Sequence, residues 1–273
     1  MGKYKCHVLD EAEEKAALCR LLGDRPETVL WTHGLKRGMC HAYVAGDLPA
    51  YRAAIVQATD MPAVPASFGP DANAIWELLG LVKGWKYIAV DGAHAHALGK
   101  IIYENTGLHV RYLGDLHYVL PDKLPVLVNQ AVRRFTIDDL ELLEAAPPEL
   151  YSSFWGSVRA LLTEGIAAGV VIDGKIVATA RLSSISDRYA DIAVDTLPDF
   201  RGQGLAMATA SAVVRAAQEM GKVPIWSTTE RNMASRRIAE KLGFVEVLKR
   251  AYLVPENSPS FDSADEAFSN TGG

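Results

Sequence analysis

The feature that most constrains how this chain folds is a glycine loop, Arg201–Ala206, with glycines at positions 202 and 204. A segment typical of a β-strand, residues 189–196, precedes the loop, and small and apolar residues recur at helical spacing over residues 205–220. Glycine lets the backbone approach a ligand closely because it has no side chain. Since the N–H groups at a helix N-terminus are unpaired and the helix dipole favours negative charge there, the loop predicts a phosphate-binding site.

Two other kinds of phosphate-binding loop do not fit this spacing. A dinucleotide-binding fingerprint requires a small residue at position 207, where the chain has Met207, and a Walker-type loop requires Gly-Lys followed by Ser or Thr. A tight turn without any ligand would account for the two glycines. It gives no reason, however, for Arg201 before them or for Asn232 further along the chain.

The segments around the loop alternate between strand and helix. An Asp-Gly pair between apolar runs predicts a β-hairpin over residues 169–180. Pro224–Thr229 is predicted as a buried strand, Asn232 as the cap of a helix that ends before Gly243, and residues 244–254 as a closing strand. These patterns predict an α/β (α+β) fold in which helices flank a mixed central sheet.

One stretch of the first half of the chain is similar to a stretch of the second half. Ile102–Leu108 and Ile238–Phe244 share Ile, Glu, Gly and a following large apolar residue in register, 136 positions apart. Strand-like segments flank both stretches, which predicts two tandem halves of similar topology. Coincidence is the alternative, because helix–glycine–strand connections are common in α/β proteins.

The patterns divide the chain into three predicted regions. Residues 1–122 form the first half and residues 126–254 the second, with Leu120–Pro125 as the linker between them. Residues 255–273 are rich in Ser, Asp, Glu, Asn and Gly and have little to bury, so they are predicted to be a disordered tail.

The first half has no counterpart of the glycine loop. Residues 65–70 occupy the corresponding position, and the prolines at both ends of that stretch lack the N–H groups that a phosphate requires. His96 stands where the second half has Asn232. His94 and His96 have no carboxylate or cysteine at metal-ligand spacing, so no metal site is predicted. We expect the first half to bind no cofactor.

Arg201, Gly204 and Ala206 fit the R/Q-x-x-G-x-G/A motif of the GCN5-related N-acetyltransferase (GNAT) superfamily, and residues 232–244 are similar to its second motif. The resemblance covers residues 126–254. It implies a GNAT-type fold, with the first half a degenerate copy, and acetyl-CoA (coenzyme A) as co-substrate of an acyltransferase. The residues that it implies for coenzyme A binding are Val194, Asp195, Thr196, Arg201, Gly202, Gln203, Gly204, Leu205, Ala206, Asn232 and Ser235.

Acyl transfer requires catalytic residues in addition to the cofactor loop. An amine must lose a proton before it attacks a thioester, and Asp191 lies close to where many relatives carry a Glu, so it is the first candidate for the general base. A solvent-facing strand carboxylate is the alternative. Relatives have a Tyr as acid where this chain has Ala239; Tyr252 or Ser235 can substitute, and a thiol with a pKa of about 8.5 also leaves without help.

The resemblance further implies that residues 137–164 wall the acceptor pocket. This segment contains Glu149, Tyr151, Phe154 and Trp155, which would either hold an amine or pack in the core. The predicted acceptor is a small-molecule or protein amine. A non-catalytic acyl-CoA-binding sensor is the alternative function, and a partner-binding role for the first half is a third hypothesis.

Composition and charge bear on the partners and the location of the protein. The 273 residues carry a formal net charge of −5 without a clustered basic face, so we expect no nucleic-acid partner. The apolar runs are too short to span a bilayer, and residues 1–10 lack the apolar region of a signal peptide, so no membrane association is predicted. Three widely spaced cysteines favour the cytoplasm. We expect a monomer or a homodimer.

Overall fold

A computed structural model describes residues 3–125 and 131–256 of the protein. The predicted disordered tail lies outside the described residues, except for Pro255 and Glu256. The described residues form two compact units: the first contains the residues up to Leu116 together with Lys249–Glu256, and the second contains those from His117 to Leu248. Among the described residues, no helix combines the length and the apolar character that crossing a bilayer requires.

Among the described residues, the first half of the chain contributes six strands and four α-helices. In chain order they are β1 Cys6–Leu9, α1 Ala12–Leu22, α2 Val29–Lys36, β2 Cys40–Ala45, β3 Ala53–Ala58, β4 Ala66–Phe68, α3 Ala72–Leu79, β5 Ile88–Asp91, α4 Gly92–Thr106 and β6 Val110–Val119. The last of these strands continues into the second unit.

The second half of the chain repeats this order of elements. It contains β7 Val132–Arg134, α5 Leu140–Glu144, α6 Val158–Glu164, β8 Ala167–Ile172, β9 Lys175–Ile185, β10 Tyr189–Thr196, α7 Leu205–Glu219, β11 Val223–Thr229, α8 Met233–Leu242 and β12 Val245–Pro255. Both halves therefore run strand, two helices, three strands, helix, strand, helix, strand. The prediction of two tandem halves in one α/β topology is confirmed.

The strands of the two halves follow matching orders, β1-β2-β3-β4-β5 and β7-β8-β9-β10-β11. In each half the fourth and fifth strands pair in parallel, and the earlier neighbours pair antiparallel. The mixed central sheet predicted from the sequence is thus present in both units.

The units divide inside β6 and β12 rather than in the linker that the sequence predicted. In the first unit, β5 pairs antiparallel with Arg250–Leu253 of β12, with Arg250 opposite Asp91. In the second, the N–H of Leu120, directly after β6, donates to the carbonyl of Pro224. Each half therefore supplies the sixth strand of the other unit. Backbone hydrogen bonds between strands do not depend on the identity of the side chains. The composition around residues 120–125 therefore could not reveal this exchange.

Local signals explain why the second unit folds as predicted around its site. Asp173 and Gly174 both have positive φ, 49° and 74°, as a two-residue hairpin turn between β8 and β9 requires. The Asn232 side chain caps α8 by accepting a hydrogen bond from the N–H of Ser235 at 3.0 Å. Gly243 ends that helix with φ 91°.

Each unit has its own apolar core. In the first, α3 and α4 pack on the sheet through fully buried side chains such as Ile75, Leu78 and Leu98. In the second, one cluster joins Phe135, Trp155 and Leu161 below β8 and β9. The core role of Trp155, one of the two sequence interpretations for that residue, is therefore the correct one.

Candidate active site

The parallel pairing of β10 and β11 stops partway along the strands. Their register runs from Tyr189 opposite Val223 to Asp191 opposite Ile225, and within the described residues it goes no further. On its other side β10 stays paired with β9 through Thr196, after a register shift next to Asp191. The backbone of residues 192–196 therefore has an edge that is not covered by β11. Such an edge can pair with an extended ligand as an added strand would.

The glycine loop lies at the end of that edge. Gly202 and Gly204 have φ values of 76° and 77°, a region that side chains rarely adopt, and a Cβ added at either would contact nothing within 4 Å. Gly204 is the N-cap of α7, so no side chain caps the helix, and the first turn carries no acidic residue. The first intrahelical acceptor is the carbonyl of Gly204, bonded to Ala208 at 3.1 Å. The preceding N–H groups of this turn suit an anion.

A cavity of about 510 Å³ opens between these elements, and all of its walls belong to the second unit. Nine residues that the sequence predicted for coenzyme A line it: Asp195, Thr196, Arg201, Gly202, Gly204, Leu205, Ala206, Asn232 and Ser235. Val194 and Gln203, also predicted, are not among the lining residues, and Val194 is fully buried in β10. Backbone contacts would be the only ones available to Val194.

Two cations at this cavity were missed by the sequence prediction. Arg237 and Lys241 line it from α8, four residues apart and hence on one helix face. Arg201 adds a third positive charge from the loop, where its Nε donates to the carbonyl of Thr196 at 3.1 Å. The helical spacing of 237 and 241 inside the second motif was the signal that could have identified them. Three positive charges beside an uncapped helix N-terminus fit a pyrophosphate.

Thr196 provides a further test of whether coenzyme A fits. Its Oγ1 is buried and has no hydrogen-bond partner in the described part of the chain. Thr196 also lines the cavity and ends the uncovered edge of β10. A buried hydroxyl without a partner is costly, so a polar ligand group at this place would remove that cost. The residues present therefore fit an amide-bearing arm such as pantetheine.

The two aspartates of β10 are both buried, so the solvent-facing alternative for Asp191 is wrong. Burial raises the pKa of Asp191 to about 6, while a short hydrogen bond from the Ser183 hydroxyl and the nearby His117 oppose that rise. Burial likewise raises the pKa of Asp195 to about 6, although Arg181 lies 2.7 Å from its carboxylate. Asp195 lines the cavity, whereas Asp191 is not among the lining residues.

The residues considered as general acids occupy different surroundings. Tyr252 lies in the first unit, where burial and the neighbouring Asp115 hold the pKa of its hydroxyl well above the usual value. Ser235 lines the cavity, and its Oγ accepts a hydrogen bond from Trp226 Nε1 at 2.8 Å. Ala239 is fully buried in α8, so a tyrosine at that position would overpack its surroundings.

Comparisons with known proteins agree with this geometry. Residues 126–252 match the model of the GNAT acetyltransferase family. A stretch of 97 residues is 30% identical to the uncharacterized N-acetyltransferase YdfB of Bacillus subtilis (strain 168). This stretch covers 36% of this chain and 37% of YdfB. The match thus spans little more than a third of YdfB. The match of residues 126–252 to this family supports an acyl-transfer function.

Solved structures are similar over nearly the whole chain. A GCN5-related N-acetyltransferase-like protein from Streptococcus suis 89/1591 is 23% identical with a TM-score of 0.66, over 90% of this chain and 99% of that one. A tandem GNAT protein from the clavulanic acid biosynthesis pathway is 14% identical with a TM-score of 0.53, over 94% and 100%. At these identities the likeness shows the fold, and the GNAT-type fold predicted from the motifs is confirmed.

Proposed function

We propose that the second unit is an N-acyltransferase that moves an acetyl or similar small acyl group from its CoA thioester to a primary amine. The observation that carries this proposal is the coincidence, around one cavity, of the uncovered edge of residues 192–196 and the uncapped N-terminus of α7. A ligand held there needs both an extended amide-bearing arm and a phosphate, and acyl-CoA has both.

The binding roles follow from this arrangement. The backbone of Val194, Asp195 and Thr196 pairs with the pantetheine amides, and the N–H groups of the loop and of the first turn of α7 hold the pyrophosphate. Arg201, with Arg237 and Lys241, neutralises the phosphates. Asn232 uses its side-chain oxygen to cap α8, which leaves its amide NH2 to donate to the ligand.

The chemistry joins an amine to an acyl carbon. An ammonium first gives one proton to a base, and the neutral nitrogen attacks the thioester carbonyl carbon. The C–N bond forms, the C–S bond breaks with its electron pair on sulfur, and the nitrogen loses a second proton while the thiolate gains one. Backbone N–H groups of residues 194–196 stabilise the developing oxyanion. The products are an amide, free CoA thiol and one released proton.

Asp191 remains the proposed general base. With a pKa of about 6 its carboxylate is mostly ionised at neutral pH and still close enough in basicity to accept a proton. Because Asp191 does not line the cavity, the proton reaches it through water or through the Ser183 hydroxyl. Ser235, the other residue considered as the acid, lines the cavity, and replacing it by Ala tests whether it protonates the thiolate.

The proposed function is tested by incubating the protein with acetyl-CoA and a panel of primary amines while free thiol is measured. Thiol release that requires an amine supports transfer. Binding of CoA without turnover on any amine supports the alternative, a non-catalytic acyl-CoA sensor, which the alanine at position 239 favours.

The cysteines at positions 6, 19 and 40 are free, which supports the cytoplasm as the site of action.

A further inference from the structure

Glu149 places an uncompensated negative charge at the cavity. It lies in a 3-10 turn, Pro148–Leu150, in the connection between α5 and α6, and its half-buried side chain lines the cavity together with Asp195. Asp195 is neutralised by Arg181, whose Nη1 lies 2.7 Å from its carboxylate. In the described part of the chain, Glu149 has no ion-pair partner. The two carboxylates are close enough for Glu149 to raise the pKa of Asp195.

The turn that carries Glu149 is firmly attached to β9. The Thr179 hydroxyl donates to the carbonyl of Leu150 at 2.7 Å, directly next to Glu149. Two residues further on, Arg181 Nε donates to the carbonyl of Ser152 at 2.6 Å. Trp155 Nε1 then donates to the carbonyl of Leu182 at 2.8 Å. Because these bonds fix the backbone that directly follows Glu149, this residue is positioned before any ligand arrives.

The charges that line the cavity are divided by element. Arg201, Arg237 and Lys241 lie on the glycine loop and on α8, where phosphates would neutralise them. Glu149 lies on the separate α5–α6 connection. The guanidinium of Arg181 is already paired with the carboxylate of Asp195. Once a CoA thioester is bound, the one carboxylate that lines the cavity without a cationic partner is that of Glu149, among the described residues. A partly desolvated carboxylate in this position attracts a cation.

We propose, on the basis of the proposed function, that Glu149 selects the acceptor by binding its ammonium group, and that the acceptor is an alkylamine without a carboxylate beside the amine. A lysine side chain and a free diamine both present such a group. An α-amino acid would bring a second negative charge next to Glu149 and Asp195, and repulsion between like charges would exclude it. Glu149 is thus a specificity-determining residue.

The first experiment measures binding directly. 1,5-Diaminopentane, a lysine with both its α-amino and carboxyl groups blocked, and norleucine are titrated calorimetrically into the protein with and without CoA. We expect both alkylamines to bind and norleucine to bind at least about 10-fold more weakly. In Glu149→Gln, the affinity for the alkylamines should fall about 10- to 100-fold, the value of a charge-assisted hydrogen bond, while CoA affinity stays unchanged. The tighter-binding of the two alkylamines indicates whether a diamine or a protein lysine is the source.

Matched variants and turnover complete the test. Glu144→Gln, an exposed residue at the end of α5, removes the same charge away from the cavity and should change nothing. Glu149→Asp keeps the charge and should recover part of the affinity. In turnover assays, Glu149→Gln should raise KM for the alkylamines with kcat within about threefold, because the lost interaction is equally strong in the ground state and in the transition state.

Several outcomes would overturn the inference. Alkylamine affinity that is equal in Glu149→Gln and in the original protein would do so, as would norleucine binding as well as the capped lysine, or no alkylamine binding at all. These results leave the proposed function standing if CoA still binds and an amine is acylated. Failure of CoA to bind the original protein would instead contradict the proposed function itself.

Discussion

The helix that follows the fourth strand begins differently in the two units. In the first unit, the Asp71 carboxylate caps α3 by accepting hydrogen bonds from Asn73 N–H at 3.1 Å and Ala74 N–H at 3.2 Å. In the second, Gly204 starts α7 without a side-chain cap. A carboxylate supplied by the chain itself therefore stands in the first unit where an anionic ligand would bind in the second. The same topology therefore has an uncapped helix N-terminus in one copy and a capped one in the other.

The strands before these helices differ in the same sense. In the first unit, Arg250 Nη2 donates to the carbonyl of Ser67 in β4 at 2.6 Å, and its guanidinium lies 5.0 Å from the ring of Phe68. In the second, residues 192–196 of β10 have no such partner from β11. The two units share the fold, but they differ in whether the backbone groups at this position already have a hydrogen-bond partner within the protein.

The largest expected effect comes from Gly204→Val. Valine strongly disfavours a φ of 77°, and its side chain would stand between the backbone and the phosphate. We expect CoA affinity to fall by on the order of 100-fold or more, measured by calorimetry, while the protein remains folded by circular dichroism.

Two other glycines serve as controls for that result. Gly221 has nearly the same φ, 74°, and equally open surroundings, so Gly221→Val introduces the same strain outside the site and should leave CoA affinity intact. Gly69→Val places a Cβ 2.7 Å from the carbonyl of Arg52 and should lower the free energy of unfolding without affecting CoA. CoA binding by Gly204→Val at normal affinity would refute the site; loss of binding in Gly69→Val would refute the comparison between the units.

A second prediction uses the carboxylate that β10 has and β4 lacks. Asp191→Asn should lower kcat about 10²- to 10⁴-fold with little change in CoA affinity, because only proton transfer is lost. In the original protein the base must be ionised, so kcat should rise as the pH increases through about 6 and then level off. The variant should lose that rise.

The stability of the same variant provides its control. The folded-state pKa of Asp191 lies above its unfolded value, so this group stabilises the fold fully below the unfolded pKa and less as the pH rises through about 6. Asp191→Asn should therefore lose less stability between pH 4 and 7 than the original protein. A decrease in kcat smaller than threefold, with this stability change present, would assign Asp191 a structural role only.

The smallest effect is expected in the first unit. Asp71→Ala removes the cap of α3 and its bonds to Tyr4 and Arg52, which should lower the free energy of unfolding by about 1 kcal/mol or somewhat more. Calorimetry should still show one CoA per chain, because Arg250 continues to occupy the carbonyl of Ser67. A second CoA equivalent in this variant would mean that Asp71 alone closes the first unit.

The local structure around the site is predictable from the sequence. Asn232 as a helix cap, Gly243 as the residue that ends that helix, and strand Tyr189–Thr196 were all predicted and are all present. These features depend on neighbouring residues only: a side-chain oxygen reaching an N–H three residues later, or a backbone angle that glycine tolerates. The order of elements over residues 169–254 follows from the same kind of signal.

The tertiary structure determines which distant segments come together and which residues they bury. It brings Glu149 from the α5–α6 connection to the cavity and buries Asp191. It also pairs Arg250–Leu253 with β5, so that Arg250 reaches the carbonyl of Ser67. Neither burial nor strand partnership is encoded by residues next to each other in the chain. Both depend on sheet register and on packing between segments a hundred or more residues apart, which periodicity and spacing within one segment do not specify.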